Sequence, residues 1–124
     1  MLKNLSFSRC NLYELELSEV QAHKGEGLIG FNRILTGDNI SGLCDFMDFT
    51  SMPPGTSIGN HTHSENEEEY YLILNGTGVM NQNDMSFVVR SGDLIRNPPG
   101  GTHSLKNTGT RNLQLFVFQL EVPY

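Results

Sequence analysis

The stretch GNHTHSENEEEYYLILNG, residues 59–76, decides how the rest of the chain is interpreted. Two histidines, His61 and His63, stand one residue apart, and acidic side chains follow at four of the five positions 65–69. Alternate residues of an extended strand face the same side, so both imidazoles project together and form a two-ligand clip for a transition metal. Such a pair also arises by chance on exposed loops. The metal interpretation therefore depends on ligands from elsewhere in the chain.

Further ligands are available nearby and about forty residues on. The candidate carboxylates on the returning strand are Glu65, Glu67, Glu68 and Glu69. The segment GDLIRNPPGGTHSLKN, residues 92–107, holds a single histidine, His103, directly after a bend rich in proline and glycine. Such a bend can deliver His103 across a β-barrel to the first histidine pair. The two segments together predict one metal site.

The chain around these segments has the pattern of an all-β protein. Runs at 12–20, 28–35, 41–52 and 113–122 alternate or carry apolar residues on both faces, and glycine- and proline-rich turns separate them. Residues 79–90 suggest a hairpin that turns on Asn81 to Asp84. We expect about nine to eleven short strands without a helix, arranged as a sandwich or a closed barrel.

Length and composition exclude several classes of function. A chain of 124 residues corresponds to one domain, and its net charge of −6 with eight scattered basic residues disfavours nucleic acid as a partner. No stretch is apolar enough for a signal peptide or a membrane span, so we expect a soluble, cytoplasmic protein. Cys10 and Cys44 fit no spacing of a metal finger or a redox motif. They could form one disulfide, but we expect two ordinary small buried residues.

The two histidine segments resemble the two motifs of the cupin superfamily. The first motif is matched by Gly55, five residues, His61 and His63, then Glu69, six residues and Gly76. The second is matched without a gap by Gly92, five residues, Pro98, Pro99, Gly100, two residues, His103, three residues and Asn107. Five residues separate His63 from Glu69 where the family has three or four, so counting forward from His63 would select Glu67 or Glu68. The count back from Gly76 selects Glu69, because a loop absorbs an extra residue more easily than a strand does. Glu68 stays the alternative.

This resemblance implies a fold and a ligand set. It implies a single cupin domain over residues 1–124, built as a jelly-roll β-barrel or double-stranded β-helix. The motif core would span 55–107, with the strands of 1–52 packing on the barrel or completing it. The ligands of one divalent transition metal would be His61, His63, Glu69 and His103. Nitrogen and oxygen donors without thiolate suit Fe, Mn, Ni, Zn, Cu or Co.

Several residues outside the ligand set are candidates for contacts with a substrate. Tyr71 and Ile73 share a strand face with Glu69 and should line the same pocket. Tyr71 could form a hydrogen bond with a substrate or simply fill the interior of the barrel. Arg96 and Arg33 could each contact an anionic ligand or form a salt bridge on an outer face. His23 has the context of a surface loop histidine rather than of a ligand.

The function implied by the resemblance is a metal-dependent enzyme of the oxygenase, isomerase, decarboxylase or lyase type. Its substrate would be a small oxygen-rich or aromatic molecule that chelates the metal. The alternatives are a non-catalytic module that binds or senses a small molecule, and a metal-free sugar epimerase with acid–base chemistry. Apolar surface on the strands at 12–20 and 113–122 predicts a homodimer.

Overall fold

A computed structural model describes residues 7–123, which form ten β-strands and one short 3-10 helix. No helix among these residues is long and apolar enough to cross a membrane. In chain order the strands are β1 (Ser18–Val20), β2 (Ile29–Thr36), β3 (Cys44–Met52), β4 (Ser57–Thr62), β5 (Glu67–Asn75), β6 (Thr77–Gln82), β7 (Met85–Arg90), β8 (Leu94–Asn97), β9 (Thr102–Lys106) and β10 (Leu113–Glu121).

The strands form two antiparallel sheets that face each other. One has six strands in the order β1-β2-β3-β10-β5-β8, and the other has four in the order β4-β9-β6-β7. Both contribute to one hydrophobic core, to which the larger sheet gives Ile29 and Leu115 and the smaller gives Met80 and Leu105. Non-consecutive neighbours in both sheets are the crossovers of a jelly roll. The prediction of an all-β jelly-roll barrel is therefore confirmed.

The hairpin between β6 and β7 turns where the sequence predicts it. Gln82 pairs with Met85, which leaves Asn83 and Asp84 as the two loop residues. Both have positive φ, 45° and 71°, as a type I′ turn requires. Asn and Asp tolerate this left-handed conformation better than most residues do.

The strand predicted over residues 12–20 is mostly absent, and this prediction was wrong. Residues Leu12–Glu14 form the 3-10 helix instead, and only Ser18–Val20 pair with β2. The side chain of Asn11 accepts a hydrogen bond of 2.9 Å from the backbone N–H of Tyr13. This local bond offers the backbone an alternative to a strand ladder. The apolar alternation reflects contacts of single side chains, such as the Tyr13 ring on Phe49, with a centroid distance of 5.9 Å.

The two cysteines are free thiols in different environments. Cys44 is buried at the start of β3, as expected, and its Sγ lies 3.5 Å from the carbonyl oxygen of Phe46. Cys10 is exposed, which corrects the expectation of two buried residues. It lies beside the surface 3-10 helix, outside either sheet, so no layer packs over it.

The outer face of the six-stranded sheet is apolar and only partly covered. Phe116 and Phe118 on β10 are half-buried, and the Tyr70 ring stacks on Phe118 at a centroid distance of 5.0 Å. A second subunit could cover these rings. The homodimer stays a prediction.

The register of the strands aligns residues in rows across the inner face of the same sheet, and one such row is mostly polar. One row crosses β2, β3, β10 and β5 through Arg33, Asp48, Val117 and Tyr71. Glu69 lies two residues before Tyr71 on β5 and therefore faces the same side. This face forms one wall of the site described below.

Asn107 joins the end of β9 to the turn before β10. It is fully buried, and its amide nitrogen donates to the carbonyl oxygens of Met52 and Arg111, both at 2.8 Å. Its amide oxygen accepts from the backbone N–H of Gly109 at 2.9 Å. One side chain therefore satisfies three backbone groups at the point where the two sheets meet.

We expect Asn107→Ala to lower the free energy of unfolding by about 3 kcal/mol, since three hydrogen bonds are lost at about 1 kcal/mol each. Urea denaturation followed by circular dichroism measures this difference. Asn112→Ala, at an exposed position in the same turn, is the matched control and should change stability by less than about 0.5 kcal/mol. Equal stability of the two variants would contradict a structural role for Asn107.

Candidate metal centre

Two of the predicted ligands meet because β4 and β9 are neighbours in the four-stranded sheet. His61 pairs directly with His103 in the register of these strands, after a shift between Ile58 and His61. His63 follows the end of β4, and its backbone N–H donates to the carbonyl oxygen of Gly101 at 3.0 Å. The three imidazole rings lie within 5.0 Å of one another, centroid to centroid. The predicted convergence of the two histidine segments is what the structure shows.

The carboxylate of the group comes from the opposite sheet. Glu69 on β5 is 6% exposed, and its Oε1 lies 3.2 Å from Nε2 of His63 and 3.1 Å from Nε2 of His103. Glu68 points to the other face of β5, where it pairs with Arg96 and accepts from the Tyr70 hydroxyl at 3.0 Å. The structure therefore brings Glu69 to the histidines and places Glu68 away from them.

The four residues form a possible site for one metal ion. One ligand atom from each of His61, His63, Glu69 and His103 lies within 4.8 Å of all the others. Ligand atoms on one ion with bonds of about 2.1 Å are at most about 4.2 Å apart. The four atoms are thus close enough for small side-chain movements to bring them around one ion.

The protonation of His61 suits a ligand. Its Nδ1 lies 2.8 Å from the carbonyl oxygen of Gly59, which can only accept, so Nδ1 carries the hydrogen and Nε2 has a free lone pair. Burial lowers the pKa of His61 to about 4, which keeps the ring neutral at neutral pH. A backbone contact thus orients this ring in the way that metal-ligating histidines require.

The charge states of Glu69 and of the neighbouring histidines depend on one another. Burial opposes ionisation of Glu69, but the hydrogen bond from His103 and the close contact with His63 outweigh it and lower the pKa of Glu69 to about 2. The close contact with the Glu69 carboxylate in turn raises the pKa of His63, against the opposing effect of burial. Glu69 is therefore a carboxylate throughout the physiological pH range.

One buried ring nitrogen shows how well these residues would fit a metal. Nε2 of His63 lies close to Glu69, but its geometry does not meet that of a hydrogen bond, and it has no other partner among the described residues. An unsatisfied buried nitrogen costs about 1–3 kcal/mol. A cation bound between His63 and Glu69 would remove this cost, so the donor set fits a divalent metal.

His23 lies against this group, a position that the sequence did not reveal. It is exposed in a loop, as expected, but its ring stacks on that of His61 with 3.6 Å between centroids and 7° between planes. Gly59 makes the approach possible, since a Cβ there would lie 2.0 Å from the carbonyl oxygen of His23. The loop that carries His23 packs on the backbone of β4 at Gly59. Such a contact between distant segments leaves no local signal in the sequence.

The group opens into a cavity of about 590 Å³ between the sheets. Apolar side chains form much of its wall, among them Val20, Ala22, Ile29, Phe31, Phe46, Ile58 and Val117. His61, His63 and Glu69 lie in the wall, whereas His103 is 1% exposed and lies behind them. Ligand pockets are of this size and composition.

The predicted substrate contacts are distributed unevenly around this cavity. Tyr71 lines it, and its hydroxyl lies 3.3 Å from Nε2 of His103. Ile73 is buried in the hydrophobic core and is not among the lining residues. Arg96 lies on the outer face in an ion pair with Glu68, because adjacent residues of β8 face opposite sides. Arg33, which the sequence left open in the same way, lines the cavity.

Comparison with known proteins agrees with this geometry. The family model of the cupin domain matches residues 48–119, more than half of the chain. This protein belongs to the cupin family. The cupin is 32% identical, over 75% of its length and 76% of the relative's, to an oxalate-binding protein of Thermotoga maritima.

Solved structures show the same fold. The cupin superposes with a TM-score of 0.84 and 26% identity on a protein of Thermotoga maritima described as a predicted oxalate decarboxylase, covering 90% of this chain and 96% of that one. It superposes with a TM-score of 0.67 and 16% identity on a cupin 2 conserved barrel domain protein of Salinispora arenicola, covering 94% and 89%. The second likeness shows the fold alone.

We expect Glu69→Gln to weaken metal binding by more than about 100-fold, beyond the roughly 10–100-fold effect of residues that only support a ligand. Glu68→Gln, one position away on the opposite face, is the matched control and should bind metal like the parent. Equilibrium dialysis against Mn²⁺ or Zn²⁺ with elemental analysis measures both. Loss of metal from the Glu68 variant with retention by the Glu69 variant would reverse the ligand assignment.

The affinity for metal should fall as the pH is lowered, starting above 6.5. The raised pKa of His63 keeps that ring protonated to a higher pH than usual, and a metal must displace this proton. His61, with a pKa of about 4, adds to the effect only in acid. Calorimetric titration in buffers of different ionisation enthalpy should show more proton release at pH 6 than at pH 8. The same release at both pH values would contradict the prediction.

Proposed function

We propose that this cupin binds one divalent transition metal through His61, His63, Glu69 and His103 and uses it to hold a small chelating carboxylate. The observation that carries the proposal is the convergence of these four ligand atoms at the wall of an otherwise mostly apolar cavity. Oxalate is the first candidate ligand, because a relative with 32% identity is an oxalate-binding protein.

The types of ligand atom restrict the identity of the metal to the transition metals that bind nitrogen and oxygen. Three imidazoles and one carboxylate, without thiolate, suit Fe, Mn, Ni, Zn, Cu or Co. When bound, such an ion supplies a Lewis acid with open positions for the oxygen atoms of a ligand.

The residues around the candidate ligands preorganise the site for a metal and its ligand. The carbonyl oxygen of Gly59 fixes the ring of His61, and Glu69 stays ionised at neutral pH. Apolar side chains on β2 and β10, namely Ile29, Phe31 and Val117, would limit the access of competing water to a bound ligand. Little reorganisation is then needed on binding, which favours affinity.

Catalysis is the second candidate function, and Tyr71 is the observation that favours it. Burial raises the pKa of the Tyr71 phenol well above its ordinary value, so it keeps its proton inside the cavity wall. Decarboxylation of hydrogen oxalate to formate and CO₂ breaks the carbon–carbon bond and places a proton on carbon. Tyr71 is a buried acid beside His103 that could hold and deliver such a proton.

Calorimetric titration of oxalate into three preparations tests the binding function. Mn²⁺-loaded protein should bind oxalate with a Kd on the order of micromolar, equivalent to about −8 kcal/mol. Metal-free protein and the His61→Ala/His103→Ala variant should bind at least about 100-fold more weakly. Acetate, which cannot bridge two coordination positions through two carboxylates, is the control ligand. Equal oxalate affinity in loaded and metal-free protein would contradict the proposal.

Product analysis separates the two functions. Formate and CO₂ in equal amounts from oxalate would establish an enzyme, and Tyr71→Phe should then lower kcat by about 100-fold or more while leaving oxalate affinity unchanged. Tight, metal-dependent binding of oxalate without any product, both in air and under nitrogen, would support the binding function and contradict catalysis.

A further inference from the structure

Arg33 places a cationic group in the cavity wall, on the same face of the six-stranded sheet as Glu69 and three strands away from it. Among the described residues that line the cavity, no other is a lysine or an arginine. Its row of the six-stranded sheet crosses β5 at Tyr71, the neighbour of Glu69 on the same face. The Arg33 side chain is 45% exposed and lines the cavity.

Neighbouring residues hold the guanidinium in one orientation. Nε and Nη2 of Arg33 donate to the two carboxylate oxygens of Asp48 at 2.9 and 3.0 Å. The guanidinium carbon also lies 4.2 Å from the centre of the Phe46 ring and 5.5 Å from that of Phe31. A carboxylate on one edge and an aromatic ring on one face fix this side chain before a ligand arrives.

The fixed guanidinium has unused hydrogen-bond donors. Arginine carries five N–H groups, and Asp48 takes two of them. Among the described residues no other side chain or carbonyl accepts from the remaining three. Because Arg33 lies in the cavity wall, these donors are available to an anionic group within the cavity.

Arg33 and Glu69 lie in the wall of one cavity and on strands that are not neighbours, so one elongated molecule could contact both. The β2 and β5 backbones are three strand spacings apart, about 14 Å at about 4.8 Å each. Both side chains extend inward and shorten this gap. Oxalate has six non-hydrogen atoms, which fill no more than about 180 Å³ even at the roughly 30 Å³ that each water occupies. It would leave most of the 590 Å³ cavity empty.

We propose that Arg33 recognises a second anionic group of the ligand, and that the ligand is an acid with a chelating head and an anionic tail joined by a short apolar body. The head lies at His61, His63 and Glu69, the body along the apolar walls, and the tail at the free N–H groups of Arg33. This inference rests on the proposed function and specifies its class of ligand.

Two 2-oxo acids with the same head test the role of the tail. 2-Oxoglutarate and 2-oxopentanoate both chelate through the 2-oxo carboxylate, but only the first ends in a second carboxylate. Calorimetry with Mn²⁺-loaded protein should show that 2-oxoglutarate binds at least tenfold more tightly. Oxalate is titrated in parallel to report on the metal centre itself.

Variants of the ion pair separate recognition from stability. Arg33→Met alone leaves the Asp48 carboxylate buried without a partner, so Arg33→Met/Asp48→Asn removes both charges together. The double variant should bind the two 2-oxo acids equally and bind oxalate like the parent. Asp48→Asn alone keeps the guanidinium but removes its counter-charge, and it should increase the preference for 2-oxoglutarate by about tenfold. Arg96→Met, which breaks the outer ion pair with Glu68, is the matched control and should leave all three affinities unchanged.

The outcomes distinguish this inference from the proposed function. Metal-dependent oxalate binding without a preference for 2-oxoglutarate would overturn the role of Arg33 and leave the metal centre intact. The role of Arg33 is likewise overturned if the double variant keeps the preference, or if Asp48→Asn reduces it. Absence of metal-dependent binding of all three acids would overturn both proposals.

Discussion

The site depends on the contact between Glu69 and the imidazoles of His63 and His103. This contact joins the two sheets, because Glu69 belongs to β5 and the histidines to the β4–β9 side. A buried carboxylate without partners is strongly destabilising, so the two sheets must be in register for the protein to fold with Glu69 inside. The contacts that stabilise the buried Glu69 carboxylate therefore also bring the candidate ligands together.

Alternation along a single strand divides the acidic run between two roles. Glu69 faces the cavity and the histidines, whereas Glu68 faces outward to Arg96 and Tyr70. The outer pair is largely a surface interaction and contributes little to stability. One strand thus supplies a candidate metal ligand and a partner of an outer ion pair from adjacent residues, and a one-residue slip would exchange them.

Close backbone contacts shape the mouth of the cavity. The loop at 22–25 packs on β4 through two glycines: a Cβ at Gly59 would lie 2.0 Å from the His23 carbonyl oxygen, and one at Gly25 would lie 2.1 Å from that of Ser57. This packing brings the His23 ring onto His61 and closes one side of the cavity. On the other side Arg33 is fixed by Asp48. The cavity therefore has one end with the candidate metal ligands and another with the Arg33–Asp48 ion pair, with apolar side chains between them.

The sequence by itself determined the jelly-roll class and the four clustered residues. Period-two spacing puts His61 and His63 on one face, and the count back from Gly76, whose φ of 89° suits a turn glycine, selects Glu69 over Glu68. Only the tertiary structure decided which arginine enters the cavity and that Ile73 belongs to the core. Arg33 and Arg96 both lie on short apolar strands with similar neighbours. Which face of a strand meets the cavity depends on the sheet that it joins and on its register there, and these are set by contacts between residues far apart in the chain.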